Sequence, residues 1–169
     1  MNKNYYETDK YIFFYGGIYS QWYPCDIVID NIKYCTNEQA MMAEKASLFG
    51  DGFSKKQIMA SKDPAEQKYW GRRVKNFDKD KWEKFVAKNI VFKANYAKFT
   101  QHKDLKKRLL DTEDKIIVEA SPWDKIWGIG LSCDDKRILD PQQWRGTNWL
   151  GEAIMKVRET IKKEKDKEK

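Results

Sequence analysis

The chain has 169 residues, 41% of them hydrophobic and 35% charged, with a formal net charge of +7. That length suits one core and is short for two. It carries no run of eighteen apolar residues and no signal-peptide pattern, which predicts a cytoplasmic protein without a membrane partner. Three cysteines, Cys25, Cys35 and Cys133, form no CxxC pair, and His102 is the single histidine. Zinc spacing is therefore missing, and neither a metal nor a cofactor is expected. The tail 162–169 has five Lys against three acidic residues and supplies +2. A polar tail of this kind is ordinarily a solvated helix end.

In chain order, residues 1–10 are polar and expected to be loose. Tyr11–Tyr15 is a short β-prone run stopped by Gly16-Gly17. Asp26–Ile29 and Ile32–Cys35 flank Asp30-Asn31, a turn pair suited to a hairpin. Thr36 and Gln39 have the form of a capping box, which starts a helix running to about Phe49, before Gly50. Helical spacing then sets Glu38, Met41, Met42 and Lys45 on one face.

A second helix is expected over Phe53–Ala60. A third has Asp63 as N-cap and Pro64 at N1, and ends near Gly71 beside Arg72-Arg73. A long amphipathic helix should run from Asp78 or Asp80 to about Phe99, with Trp82, Phe85, Val86, Phe92, Tyr96 and Phe99 as its stripe. A shorter helix comes next over His102–Leu110, then a strand over Lys115–Glu119. Residues 132–147 read as a loop, and Asn148 as the cap of a last helix ending near Lys162. The sum is an α+β fold, a single compact helix-rich domain with a small β-sheet.

Several segments could carry chemistry. Glu38 and Lys45 sit on a face with two methionines, although spacing alone favours Glu38 as a complement to the helix dipole and Lys45 as a surface charge. Trp127-Gly128-Ile129-Gly130 allows close backbone approach to a ligand beside a flat ring, or simply a tight turn. Arg145, Gly146 and Asn148 before a helix make a natural anion site, and Arg72-Arg73 could add a phosphate clamp. Ser20, Gln21 and Trp22 lie in a Gly-bounded loop and offer a further wall. No Ser-His-Asp pattern exists, so acid–base work falls to Glu or Asp and covalent work to Lys or Cys.

Taken in order, Phe14-Tyr15, Tyr19–Trp22, Tyr34-x-Thr36-x-Glu38 with Lys45, Gly71-Arg72, Trp82, Val118–Ser121, Asp124, Trp127–Leu131 and Trp144-x-Gly146-x-Asn148-x-Leu150-Gly151 resemble the YbiA-like, or NADAR, domain family. The resemblance covers residues 11–161, between the loose N-terminus and the Lys-rich tail. It implies an N-glycosidase, a hydrolase that cleaves the bond between a ribose and a base. Two substrates are associated with the family: ADP-ribosylated guanine in DNA, and ribosylamino-pyrimidine phosphates early in riboflavin biosynthesis. The larger polyanion is expected here, with DNA carrying ADP-ribosyl-guanine as the partner and no obligate protein partner. A non-catalytic ADP-ribose or nucleotide reader and a Lys-led DNA-binding module are the rival readings.

The resemblance implies Glu38 as the carboxylate serving the ribosyl C1. It implies Lys45 as an electrostatic or Schiff-base group, and Asp124 as a third catalytic residue that holds hydroxyls with Glu119. Trp127 would stack on base or ribose, and Asn148 with Arg72 or Arg145 would meet phosphates. Ser20, Gln21, Trp22, Ser121, Gly128, Gly130 and Asp135 complete the expected substrate contacts. The chain departs from the YbiA branch with Gln21 in place of Asn and Ile129 in place of Asp; Asp134, Asp135 or Asp140 could supply that carboxylate.

Overall fold

The computed structural model describes residues 4–167, and its helix-rich α+β architecture with little sheet is the expected one. The chain divides into two compact units, Met1–Ser20 with His102–Lys169, and Gln21–Gln101. In sequence the second unit is an insertion between two strands of the first, so no linker composition marks it.

The first unit is built on a three-stranded sheet. β2 (Tyr11–Phe14) pairs antiparallel with β1 (Tyr5–Glu7) and parallel with β5 (Ile116–Glu119), Phe13 facing Val118 in register. β1 thus orders part of the N-terminus expected to be loose. All four residues of β2 are buried, as their unbroken apolar run requires of a strand covered on both faces. One face packs Tyr11, Phe13, Val118 and Ala120 against Ile129, Leu131, Cys133 and Ile138.

α7 (Trp149–Lys167) packs on β5, burying Leu150, Ile154, Val157 and Ile161 at helical spacing. The helix continues through most of the Lys-rich tail, whose residues 168–169 lie outside the described residues. α6 (Lys103–Leu110) buries Leu105 and Leu109. The expected loop 132–147 contains two 3-10 turns, Lys136–Leu139 and Pro141–Gln143, each capped by an Asp.

The second unit opens with the hairpin of β3 (Ile27–Ile29) and β4 (Ile32–Tyr34). Asp30 and Asn31 both have positive φ, 50° and 64°, the conformation a two-residue hairpin turn of matching twist demands. α1 (Asn37–Leu48), α2 (Gly52–Ala60) and α3 (Pro64–Gly71) come next and pack on one another. The expected long amphipathic helix is instead α4 (Lys79–Lys81), a π-helical segment Trp82–Ala87 and α5 (Lys88–Gln101). The wider π turn shifts the register of the helical residues after it. The proposed stripe is therefore broken: Trp82 and Phe99 are buried, Val86, Phe92 and Tyr96 only partly so, and the Phe85 side chain lies outside the described residues. α5 buries Ile90, Val91, Ala94, Asn95 and Lys98 along one face, with Ala97 and Phe99 beside them.

Lys98 is fully buried, and desolvation drops its ammonium to about 7, with the Cys25 thiol pulling the other way. Its unfolded value is about 10.4, so between about pH 7 and 10.4 the unfolded chain holds more protons and stability rises with pH. Below about pH 7 the cost of burying the charge is present in full. Urea unfolding across this range should show that rise in the wild-type chain, and Lys98→Met should flatten it and raise the midpoint most at or below neutral pH.

Candidate active site

The start of α1 is buried, which is unusual for a helix end because its first N–H groups need partners. Thr36, Asn37, Glu38 and Gln39 are all buried. The Thr36 hydroxyl accepts from the Gln39 N–H at 3.0 Å, as a capping box predicts. The Glu38 N–H donates to the Gln21 carbonyl at 3.0 Å. Gln39 reaches one residue further back than expected, accepting from the Cys35 N–H, and its amide donates to the carbonyls of Ile58 and Ser61, both at 3.0 Å. Capping and interhelix fastening are thus done by one side chain.

Glu38 is 6% exposed, which favours the functional reading over a dipole partner on an exposed helix end. Met41 and Met42 are buried beside it, Met42 filling the space a side chain at Gly71 would take. Lys45 lies two turns further along. Burial holds its ammonium below the ordinary lysine range; the Glu38 carboxylate opposes the shift and the Arg72 guanidinium adds to it. The Lys45 Nζ stands 3.9 Å from the centroid of the Phe77 ring, a cation–π contact. Within this unit the expected residues Glu38 and Arg72 therefore both act on Lys45, with opposite sign. The two arginines part company: Arg73 stacks on Tyr69 instead, 3.4 Å from its centroid.

Gln21 is a buried amide, and Trp22 beside it is exposed with Lys68 5.7 Å from its ring. The Gln21 Oε1 accepts from Asn37 Nδ2 at 3.2 Å and Asn95 Nδ2 at 3.0 Å. Asn37, Asn95 and Phe77 were not among the sequence candidates. Asn95, a polar residue four positions after Val91 on an apolar face, carried the only legible signal; nothing local marks Phe77.

The remaining candidates belong to the first unit. Asp124 folds its own loop: its carboxylate accepts from the N–H groups of Ile126 and Trp127 at 2.9 and 2.8 Å, an Asx turn. Trp127 is half-buried, edge-on to Trp149 with centroids 5.6 Å apart. Gly130 has φ +69°. A Cβ at Gly128 would stand 2.9 Å from the Glu119 carbonyl and 3.1 Å from Ser121 Cβ. Both glycines thus have structural reasons, the bland reading of that motif. Glu119 and Ser121 end and follow β5, Ser121 buried and Glu119 partly so, while Ser20 follows a 3-10 turn and is part-buried. Arg145 is exposed, its N–H bonded to the Ile129 carbonyl. Trp123, beside Asp124, is 87% exposed and is a further surface ring that spacing did not single out.

Ile129, expected to stand in place of a carboxylate, is fully buried in the core. The three replacements each have local work. Asp135 pairs with Arg137, which holds it down at about 2; Asp140 caps the turn at Gln142; Asp134 accepts from Ser132. Asn148 is not the side-chain cap of α7. With φ 52°, it turns its amide onto β5, accepting from the Glu119 N–H and donating to the Ile117 carbonyl, both at 3.0 Å.

The sequence pattern that defines the NADAR domain matches residues 5–162. N-glycosidase R617 of Acanthamoeba polyphaga mimivirus is 46% identical over 166 residues, covering 90% of this chain and 97% of that protein. N-glycosidase YbiA of Escherichia coli strain K12 is 29% identical over 96% of this chain and 89% of its own. The solution structure of E. coli YbiA superposes with a TM-score of 0.76, covering 97% of this chain and 91% of that one. The chain belongs to the NADAR domain family. It is a hydrolase acting on N-glycosyl bonds. No helix among the described residues is long and apolar enough to cross a membrane.

Asn148→Asp separates a structural from a ligand-binding role. It keeps an acceptor for the Glu119 N–H but sets a carboxylate against the Ile117 carbonyl. Leaving a buried backbone group unsatisfied costs about 1–3 kcal/mol, so the unfolding free energy from urea denaturation should fall by that order. A residue that only met phosphate would raise KM at unchanged stability.

Proposed function

We propose that this N-glycosidase removes ADP-ribose from ADP-ribosylated guanine in DNA, with residues 11–161 as the glycosidase region. The observation that carries the chemistry is the Glu38 carboxylate, buried at the start of α1 and coupled to a Lys45 amine whose burial favours its neutral form. Cleavage of an N-ribosyl bond develops positive charge at C1, and a fixed carboxylate in a low-dielectric setting stabilises it far better than water does. Glu38 takes that role, or orients the attacking water. The +7 net charge of the chain favours the polyanionic substrate.

Lys45 is proposed as the second catalytic group. As a neutral amine it can attack C1 while the base departs with a proton. Opening of the ribose ring then gives an imine, which water hydrolyses back to the free sugar and the amine. As an ammonium it would act on charge alone. In the first unit, Trp127 is proposed to stack on base or sugar, and Arg145 to meet phosphate. Asp124, Glu119, Ser121 and Asp135, like Ser20, Gln21 and Trp22, are proposed contacts that single-residue variants would test separately.

Glu38→Gln should fold, by circular dichroism and thermal unfolding, and lose turnover by at least about 100-fold. The assay is release of ADP-ribose from an oligonucleotide carrying ADP-ribosyl-guanine, run beside a ribosylamino-pyrimidine phosphate. Turnover of the pyrimidine alone would replace the DNA reading with the riboflavin one. Ligand binding that Glu38→Gln leaves unchanged, with no sugar released by the wild type, would leave a reader of ADP-ribose.

For Lys45, borohydride added during turnover should trap an enzyme–ribose adduct at that residue. The covalent route also requires kcat/KM to rise with pH through an inflection below the ordinary lysine value. An active enzyme that yields neither adduct nor inflection uses Lys45 as a charge.

A further inference from the structure

The second unit carries aromatic rings that its core does not use. Phe53, on α2, is 61% exposed, and Tyr69, on α3, is 48% exposed. Both meet the half-buried Trp70 edge-on, with centroids 5.6 and 5.3 Å away. The Arg73 guanidinium lies 3.4 Å from the Tyr69 centroid and donates to the Tyr69 carbonyl at 3.2 Å, so it extends the ring surface with a fixed cation. Four flat groups thus stand contiguous at the ends of α2 and α3.

The stretch of sequence that carries them has a one-sided charge. Residues 52–81 hold nine Lys and Arg against four Asp and Glu, a net +5 in a chain whose total is +7. Among the described residues, Lys55, Lys56, Lys68 and Arg73 form no ion pair. Their contiguity, rather than the exposure of any one ring, is what suits them to an interaction surface. A protein partner is disfavoured by the company they keep, because lysine is depleted from the centres of protein interfaces. Duplex DNA is disfavoured as well, since its bases stack on one another and present no free faces. Unpaired bases joined by phosphates supply what the surface lacks: planar rings to stack on, and negative charge at short intervals.

We infer that the surface of Phe53, Tyr69, Trp70 and Arg73 binds single-stranded nucleic acid. The binding needs no glycosidic cleavage and does not rest on the activity proposed above. The rings provide stacking tolerant of sequence, while Arg73 and the neighbouring lysines provide the salt-dependent part.

The test is fluorescence anisotropy with labelled oligo(dT) and oligo(rU), beside a duplex and a polyglutamate of matched charge. The wild-type chain should bind the single strands more tightly than duplex or polyglutamate, with affinity falling as salt rises. Phe53→Ala/Tyr69→Ala/Arg73→Ala should weaken that binding at least tenfold, whereas Phe53→Tyr/Tyr69→Phe, which keeps the rings and should fold, should retain it. Glu38→Gln should bind like the wild type, whatever becomes of its turnover. Binding of either sugar form supports the inference. Equal affinity for duplex or polyglutamate, no measurable binding of single strands, or wild-type binding by a folded triple variant would overturn it.

Discussion

The second unit depends on a helix that begins inside protein. A buried N-terminus leaves N–H groups that water cannot reach, and each must find an acceptor or cost about 1–3 kcal/mol. Here one acceptor is local and one is distant: the Thr36 hydroxyl meets the Gln39 N–H three residues on, and the Gln21 carbonyl meets the Glu38 N–H from seventeen residues back. Gln67 Nε2 donates to the same Ser61 carbonyl that Gln39 holds, while Thr36 donates to Gln67 Oε1 at 2.6 Å. Glutamines 21, 39 and 67 thus tie the entry of α1 to the end of α2 and to α3. The packing of three helices and the position of Glu38 are consequences of one hydrogen-bonding constraint.

That constraint also bears on the charges buried beside it. A carboxylate is tolerated in a buried site when its backbone is anchored and an opposite charge lies within reach. Glu38 has its anchor in Gln21 and its counter-charge in Lys45, which gives up part of its own proton affinity to burial. Phe77 offers the ammonium a ring face. The two groups proposed for N-glycosyl cleavage are therefore also groups whose burial costs stability.

The first unit has a different fastener. A parallel strand pair needs a long crossover, and between β2 and β5 the chain passes through the whole of the second unit. Asn148 then acts like a piece of strand, its amide bonded to both the Glu119 N–H and the Ile117 carbonyl. The loop from Asp124 to Gly130 is held in turn by backbone bonds from Arg145, Thr147 and Asn148. Asn148, so suggestive as an anion ligand in the sequence, is spent on backbone.

Local rules were readable from residues alone because they act over a few positions. The Asp30-Asn31 turn, the Thr36 cap, the bounds of α2 and α3 and the buried run of β2 follow from φ preferences, side-chain capping and the absence of polar residues. The family pattern added Glu38 and Lys45 as a pair, which helical spacing could only call neighbours. Tertiary structure decided the rest. It set the π turn that broke the expected stripe, brought Asn95 and Asn37 to one oxygen of Gln21, set Phe77 beneath Lys45, and took Ile129 into the core. Each of these depends on which partners a distant segment delivers to a buried polar group or an apolar face, and no local spacing encodes that choice.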